Sequence, residues 1–496
     1  MKHCSKSLAS LVSLFNLRTD SNPIVTSIET DSRNVIPGSL FICVRGYTVD
    51  GHRYAREAER NGAVAILAEE ALSDVTIPVI LIENTKAAAG KVADFFYDHP
   101  SQKMRVYGVT GTNGKTTTTK LAYDLFRATG IKAGMISTVG ARIDEELIET
   151  PNTTPEAIIL HRLLYEMVEK GVTDCIIEVS SHALAEGRVE GVSFHSAAFT
   201  NLTHDHLDYH HSMEDYAKTK ALLFQQVAAS NGRTIVLNRE DGWSRVMREA
   251  APLQPVIWYT TQPHRTSQIA VEWLTDTVNV RIDETTTRVP TALLGEFNAA
   301  NLAAAMGLLQ AGDANLYALI RHIPELELPK GRLERLDWAP CEIYIDYAHT
   351  PDGLEKCLQA LTFSGESLSV VLSAAGERDR TKRAEMGRIA SKYCEHIIAT
   401  VHDARTEDPD RIIEELIVDI PREHLVGCHT SRHEALVQAA HLAHEGKRIV
   451  IVGKGHDEVE RIGTKTIPFN EKHILLAELE RLSEGESVIK KNRPFR

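Results

Sequence analysis

The sequence contains no Cys-x-x-Cys pair. Its seven cysteines, at 4, 43, 175, 341, 357, 394 and 428, are odd in number and scattered. That speaks against a zinc site or a disulfide framework and for reduced thiols in a cytoplasmic protein. No apolar run reaches the length of a membrane span. The nearest candidate is Leu8-Ala9-Ser10-Leu11-Val12-Ser13-Leu14-Phe15, behind Lys2 and Lys6. Two serines interrupt it, no small-residue cleavage site follows, and Leu8, Leu11, Val12 and Phe15 share one helical face. It reads as an amphipathic first helix and not as a signal peptide. Positive charge is in deficit, with 55 Lys and Arg against 68 Asp and Glu and a net charge of −13. That balance argues against nucleic-acid or anionic-membrane partners. Internal repeats, low-complexity segments and long linkers are also missing. What is left is a globular composition, 43% hydrophobic and 25% charged, over 496 residues, enough for about three domains.

The most informative stretch is Met104-Arg105-Val106-Tyr107-Gly108-Val109-Thr110-Gly111-Thr112-Asn113-Gly114-Lys115-Thr116-Thr117. A short apolar run enters a glycine-rich turn, then Gly-Lys-Thr, then a helical pattern over 116–129 closed by Gly130. Strand, loop and helix start in that order make an anion cradle. The glycines let N–H groups curl around a phosphate, and the helix adds free N–H groups and a positive dipole end. Lys115 brings a charge to the outer phosphates, and Thr116 a hydroxyl where Mg²⁺ sits. The strict P-loop spacing puts glycine at 109; Val109 stands there, with Gly108 and Gly111 on either side. The pattern predicts a nucleoside triphosphate site without saying what the energy drives.

Residues 1–100 read as a small mixed α/β unit with strands at 40–44, 63–67 and 79–82. Asp31-Ser32-Arg33 reads there as a turn- or helix-capping cluster. Residues 101–332 follow. In Pro151-Asn152-Thr153-Thr154-Pro155-Glu156, Thr154 is a good N-cap for a helix from 156 onward. Asp174-Cys175-Ile176-Ile177-Glu178 is a buried-strand pattern ending in a carboxylate placed to hold Mg²⁺. His204-Asp205-His206-Leu207-Asp208-Tyr209-His210-His211 is the densest polar cluster. It lacks the H-E-x-x-H spacing of a zinc site, and a hard-cation or phosphate role suits its P-loop neighbour better. Lys218 and Lys220 lie in a helix, where a lysine is ordinarily a surface residue. Asn298 and Asn301, three apart at a helix start, share a face and could cap the helix or contact a base. In residues 333–496 strands at 342–345, 369–372, 397–400 and 448–452 alternate with helices. Their ends carry Asp346-Tyr347-Ala348-His349, Gly376-Glu377-Arg378-Asp379, His402-Asp403-Ala404-Arg405 and Gly453-Lys454-Gly455-His456. Such alternation predicts a doubly wound parallel sheet with ligands at the strand ends.

In this order the motifs resemble the Mur ligases, ATP-dependent amide-bond ligases that extend the peptide of the cell-wall precursor. The likeness runs from Asp31-Ser32-Arg33 and Asp50-Gly51-His52 through the phosphate loop and Asn152-Thr153-Thr154-Pro155-Glu156. It continues through Glu178-Val179-Ser180-Ser181-His182, Asp205 to His210, Gly295, Phe297-Asn298, Asn301, Gly331-Arg332, Asp346 to Asp352 and Gly453-Lys454-Gly455-His456. The Thr-Thr-Pro-Glu and Glu-Val-Ser-Ser-His forms are similar to those of the third ligase. That enzyme adds a diamino acid to UDP-N-acetylmuramoyl-L-alanyl-D-glutamate.

The resemblance implies an α/β fold of three domains. These are a small UDP-substrate domain, a central P-loop domain with a parallel sheet, and a Rossmann-like domain that binds the amino acid. It implies ATP and Mg²⁺ as cofactors, small molecules as the only partners, and a cytoplasmic monomer. Gly111, Thr112, Asn113, Gly114, Lys115, Thr116 and Thr117 would hold ATP, with Asn298, Asn301, Arg332, Asp346 and His349 closing over it. Thr116, Glu178, His206 and a carbamylated Lys220 would carry the metal, and with Lys115 the catalysis. Thr30, Ser32, the loop 46–52, Asn152, Thr153, Thr154, Ser180, Glu186 and Arg188 would hold the UDP-linked substrate. Arg378, His402, Asp403, Ala404, Arg405, Gly453 and Asp457 would receive the amino acid. Here the chain departs from the diaminopimelate-type pattern, which reads Asp-Asn-Pro-Arg where this sequence has His402-Asp403-Ala404-Arg405. Asp457 replaces a glutamate and Glu186 a glutamine. The retained Arg405 favours meso-diaminopimelate. L-Lysine or another amine, or a paralogous Mur-type or folylpolyglutamate-type ligase, is the alternative. The Asp31-Ser32-Arg33 domain argues against the folylpolyglutamate type. Glu178, His206 and Lys220 together argue against a nucleotide switch without ligation.

Overall fold

The first sheet is built from short aliphatic runs between turns. Strands Ser27–Glu29, Ser39–Ile42, Ala63–Ala68 and Val79–Leu81 lie side by side, all parallel. The computed structural model describes residues 4–491 except 47–48, 145, 339–340 and 364, so Tyr47 and Thr48 of the loop 46–52 lie outside the described residues. The helix Leu8–Ser13 buries Leu8, Leu11 and Val12 against this sheet's core, as its amphipathic pattern predicts. Among the described residues no helix is long and apolar enough to cross a membrane.

The central sheet has eleven strands among the described residues. Seven are parallel, in the order Ala133–Ser137, Asp174–Glu178, Arg105–Thr110, Ser196–Phe199, Thr234–Asn238, Val256–Thr260 and Ile269–Trp273. Antiparallel strands close both edges: Gly140–Ile143 with Glu146–Ile148, and Thr277–Ile282 with Thr285–Pro290. The sheet is therefore mixed, with a parallel centre. The motifs leave 239–294 unassigned, yet four strands fall there. Thr277–Ile282 alternates cleanly, burying Val278, Val280 and Ile282, but it carries no polar signature at its end.

Strand Arg105–Thr110 shows how the two faces are used. Tyr107 and Val109 join the core beneath the helices Lys115–Ala128 and Glu296–Ala311. Val106 faces the core that packs helices Ala157–Glu169 and Met213–Ala229. Gly108 lies on that second face, and a Cβ there would sit 2.9 Å from Leu223 Cδ1 and 3.1 Å from Phe194 Cε1. Its missing side chain is thus a packing requirement. In register, Asp174 pairs with Arg105 and Glu178 with Val109, so the Glu178 carboxylate finishes level with the start of the phosphate loop.

The third sheet runs Glu334–Trp338, Cys341–Asp346, Ile449–Val452, Ser369–Ala375, His396–His402 and Leu425–His429. Only its first pair is antiparallel. The polar motifs of 346–349, 376–379, 402–405 and 453–456 stand at the carboxyl ends of its strands, where open α/β sheets gather ligands. The far end of the helix Pro351–Thr362 packs against the central sheet. Phe363 stacks edge-on against Trp273 at 4.9 Å, and Leu294 and Phe297 pack into the third sheet's core beside Ala360.

Candidate active site

The phosphate loop is tightly enclosed. Gly114 has φ +85°, and a Cβ there would lie 2.2 Å from Asn301 Oδ1, so only glycine lets the helix start meet the helix Glu296–Ala311. Asn113 N–H donates to Asn201 Oδ1 at 3.0 Å, and Thr112 N–H to Asn201 O at 2.8 Å. Asn301 Nδ2 donates to Asn298 Oδ1 at 3.1 Å, and Asn298 Nδ2 to Leu294 O at 2.8 Å. The two asparagines therefore form one buried ladder behind the loop. Thr117 is buried in the first turn of the helix Lys115–Ala128.

Two lysines converge on one carbonyl. Lys115 Nζ donates to Gly111 O at 3.1 Å and to Thr112 O at 2.8 Å. Lys220 Nζ donates to the same Gly111 O at 2.7 Å and lies 4.4 Å from the centre of the Tyr216 ring. Lys218 is exposed whereas Lys220 is 1% exposed, because two helical positions apart they point to opposite sides. Lys220 has no carboxylate within ion-pair distance among the described residues. Burial, reinforced by the Lys115 charge, pushes its pKa well below the usual lysine value. Burial also lowers Lys115.

Glu178 Oε1 accepts from Thr116 Oγ1 at 3.1 Å, and Oε2 accepts from both Thr138 N–H and Thr138 Oγ1 at 2.9 Å. Thr138 escaped the sequence motifs because it lies in a turn with no signature of its own. The Thr116–Glu178 oxygen separation fits one edge of a Mg²⁺ octahedron, about 3.0 Å for Mg–O bonds of about 2.1 Å. These hard oxygen donors suit that ion. His206, at φ +55°, has its Nε2 3.4 Å from Asp205 Oδ2 and its ring edge-on to His182. Burial drives its pKa down to about 3, against the opposing pull of Asp205. It is a neutral imidazole at neutral pH. Asp205 stays charged: burial raises its pKa, but His206, His349 and Lys382 outweigh that and bring it to about 2.

A second cluster gathers the 152–154, 178–180 and 186–188 segments. Thr154 does not cap the following helix, whose N-cap is Glu156 with no side-chain bond. Thr154 Oγ1 instead donates to Glu178 O at 2.7 Å and accepts from Ser180 N–H at 3.1 Å. Two backbone groups at the end of a buried strand need partners more than the helix does. Thr153 Oγ1 donates to Thr138 Oγ1 at 3.0 Å, the Thr138 proton being given to Glu178, while Asn152 is half-buried beside it. Ser180 caps the helix Ser181–Ala185. Arg188 pairs with Glu186 at 2.6 Å and Glu156 at 3.1 Å and donates to Thr154 O. Among the described residues no hydrogen bond or ion pair joins Thr30 or Ser32 to this cluster. Asp31 caps the short turn Ser32–Asn34, and Ser32 donates to Glu57 at 3.2 Å.

The third sheet closes the site from the opposite side. Arg332 Nη2 lies 3.4 Å from Thr116 Oγ1, its guanidinium over the Tyr347 ring. Asp346 Oδ2 receives Leu333 N–H at 2.7 Å and so braces the Arg332 turn, while Oδ1 receives Ala348 N–H at 2.8 Å within its own loop. His349 Nε2 is 4.0 Å from Asp205 Oδ2, and burial lowers its pKa to about 4. Asn113 Nδ2 donates to Asp352 at 2.8 Å, His204 pairs with Asp379 at 3.2 Å, and Lys382 approaches Asp205 at 4.0 Å. Gly453 packs against Ser373 and His402, and His402 Nδ1 lies 2.8 Å from Ser373 Oγ. Asp403 is held by Lys454 and Arg461, Asp457 by Arg461, and Ala404 is buried. Arg378 and Arg405 have no hydrogen-bonded or ion-paired carboxylate among the described residues, and burial, reinforced by the Arg378 charge, lowers the Arg405 pKa.

Family models match most of the chain. Residues 24–102 match "Mur ligase family, catalytic domain", 109–309 "Mur ligase middle domain" and 331–455 "Mur ligase, glutamate ligase domain". The UDP-N-acetylmuramoyl-L-alanyl-D-glutamate–2,6-diaminopimelate ligase of Bacillus cereus is 38% identical over 477 residues, covering 94% of this chain and 96% of that protein. Its namesake in Geobacillus kaustophilus is 38% identical over 470 residues, covering 92% and 95%. A solved ligase of the same name superposes with TM-score 0.68 at 28% identity over 96% of this chain and all of that one. Folylpolyglutamate synthase of Mycobacterium tuberculosis shares the fold over only 74% of this chain and 92% of its own, with TM-score 0.62 at 18% identity. The chain belongs to the Mur ligase family.

Proposed function

We propose that this protein is an ATP-dependent ligase that joins meso-2,6-diaminopimelate to UDP-N-acetylmuramoyl-L-alanyl-D-glutamate for cell-wall precursor synthesis. The observation that carries the reading is the junction of two loops. The loop of Arg378 is tied to that of His206 through His204–Asp379 and Lys382–Asp205. The amino-acid anchor and the phosphate anchor therefore face one cleft. The 38% identity to diaminopimelate ligases over nearly the full chain supports the same substrates.

In this reading the loop N–H groups and Lys115 hold the ATP phosphates. The acceptor's D-glutamyl carboxylate attacks the γ-phosphorus, ADP leaves, and an acyl phosphate forms. Lys115 and Arg332 offset the charge that develops. Thr116 and Glu178, with His206 nearby, would hold Mg²⁺, which would supply Lewis-acid neutralisation of the phosphate oxygens. Lys220 is the carbamylation site. Its neutral Nζ attacks the carbon of CO₂, one N–C bond forms, a proton passes to water, and an anionic metal ligand results. The acyl phosphate must be shielded from water, and the closure of the third sheet over the loop serves that end. A neutral amine then attacks the acyl carbon, phosphate leaves, and the amide remains. Arg188 and the Thr153–Ser180 segments hold the acceptor, and Arg378 and Arg405 grip the incoming amino acid's distal carboxylate.

An ADP-release assay tests this. Release is expected only when the UDP-linked dipeptide and diaminopimelate are both present, with the tripeptide product found by mass spectrometry. ADP release that is indifferent to the acceptor refutes it.

A further inference from the structure

Arg461 stands on the short strand Val459–Ile462, which pairs with Lys465–Pro468. Its backbone is stitched to the 402–405 loop. Arg405 N–H donates to Arg461 O at 3.0 Å, and Arg461 N–H to Asp403 Oδ1 at 3.0 Å. Its guanidinium takes both acids on that wall. Nη1 donates to Asp403 Oδ2 at 2.5 Å and to Asp457 Oδ2 at 2.9 Å. Asp403 also faces the buried Lys454 Nζ at 3.3 Å, and Asp457 Oδ1 accepts from Val459 N–H at 3.3 Å. Of the other neighbouring acids, Glu407 is paired with Arg383, while the exposed Glu377 accepts only from the neutral Thr406 hydroxyl and backbone and keeps its charge.

The cations are left over. Arg378 and Arg405 make no hydrogen bond or ion pair with a carboxylate among the described residues, and Arg405 feels the Arg378 charge as well as the opposing pull of Asp403 and Glu377. A distal carboxylate arriving there offsets both cations and finds planar, two-pronged donors. A distal ammonium finds Asp403 and Asp457 already neutralised, with Arg461 Nη1 standing between them. To be received, it would have to displace a guanidinium from two short charge-assisted bonds.

We propose that this site selects a dicarboxylic α-amino acid by its distal carboxylate alone, Arg461 having silenced the two acids, Asp403 and Asp457, that could receive a distal ammonium. This rests on the ligase reading above and widens its amino-acid substrate to a class. The substrate class is the straight-chain α-amino dicarboxylic acids, with or without a second amine. The departures at 403 and 457 from the diaminopimelate-type pattern then form one unit with Arg461: an added carboxylate, a shortened one, and the cation that occupies both.

The test compares three amines with the UDP-linked dipeptide and ATP: meso-diaminopimelate, L-2-aminopimelate, which keeps the carboxylate and lacks the distal amine, and L-lysine, which does the reverse. For the native chain kcat/KM for aminopimelate is expected within about tenfold of that for diaminopimelate, with lysine lower by about a hundredfold or more. In Arg461→Leu, and in the milder Arg461→Gln, the freed acids should raise the diaminopimelate-to-aminopimelate ratio by about tenfold. A native ratio above about tenfold, or a ratio unchanged in both variants, overturns the proposal and leaves the ligase reading standing. Absence of acceptor-dependent ADP release with all three amines overturns both.

Discussion

Arg383 supports the amino-acid loops from beneath, and its removal has a computable cost. Its side chain is 1% exposed. Nη1 meets Glu407 Oε1 at 2.8 Å and Glu415 Oε2 at 2.7 Å, and Nη2 meets Glu407 Oε2 and Ala375 O, both at 2.9 Å. The Arg383 hydrogen bonds are the largest influence, ahead of the Glu377 N–H and the Arg380 charge, holding the Glu407 carboxyl down at about 2, from an ordinary 4.5. At 1.36 kcal/mol per unit, that shift corresponds to about 3 kcal/mol of stability at neutral pH. In Arg383→Met most of the loss falls on Glu407, left with the Glu377 N–H and the more distant Arg380, because Glu415 keeps both Arg380 and Arg411. A depressed carboxylate pKa contributes fully above the unfolded value of 4.5, and the contribution drains away as pH falls towards 2. The melting point of Arg383→Met should therefore fall about 6–12 °C below native at pH 7, and the gap should narrow at pH 3. Glu407 also accepts from Glu377 N–H at 2.9 Å, and Glu377 from Thr406 N–H at 3.3 Å. Those bonds fix the loops of Arg378 and Arg405, so KM for the amino acid should rise about tenfold with kcat largely kept. Calorimetry across pH and steady-state kinetics read both effects. A melting gap that is the same at pH 7 and pH 3 refutes the linkage, and an unchanged KM refutes the positioning role.

Lys220→Ala should lower ligation by at least about a hundredfold, and stripping CO₂ from the native enzyme should lower activity reversibly. Near-native turnover of the variant in the ADP-release assay refutes the carbamate. Thr154→Val leaves Glu178 O and Ser180 N–H without their buried partner and should destabilise by about 1–3 kcal/mol in denaturant unfolding. Unchanged stability would return Thr154 to a simple turn residue.

The phosphate loop, the Glu178 strand and the third unit's strand-end motifs are all legible in the sequence. Each is a local signal: a glycine turn, an apolar run ending in a charge, a repeated βα alternation. The four strands between 256 and 290 are not legible from the motifs, since none ends in residues that mark a site, even though Thr277–Ile282 alternates cleanly. The capping reading of Thr154 failed for a different reason. Its hydroxyl is claimed by a strand twenty-four residues away, and helix-start preferences cannot register that.

The sequence by itself determined that a phosphate cradle with a following acidic strand exists, because loop conformation and strand burial follow from adjacent residues. Tertiary structure alone decided which charges remain available. Lys220 becomes a buried amine and Lys218 a surface residue by the rotation of one helix against the sheet. Arg405 stays unpaired while Asp403 and Asp457 are consumed, because Arg461 is folded back beside them by a hairpin. Pairing between charges depends on distances of a few ångströms between residues far apart in the chain, and only the packed fold fixes those.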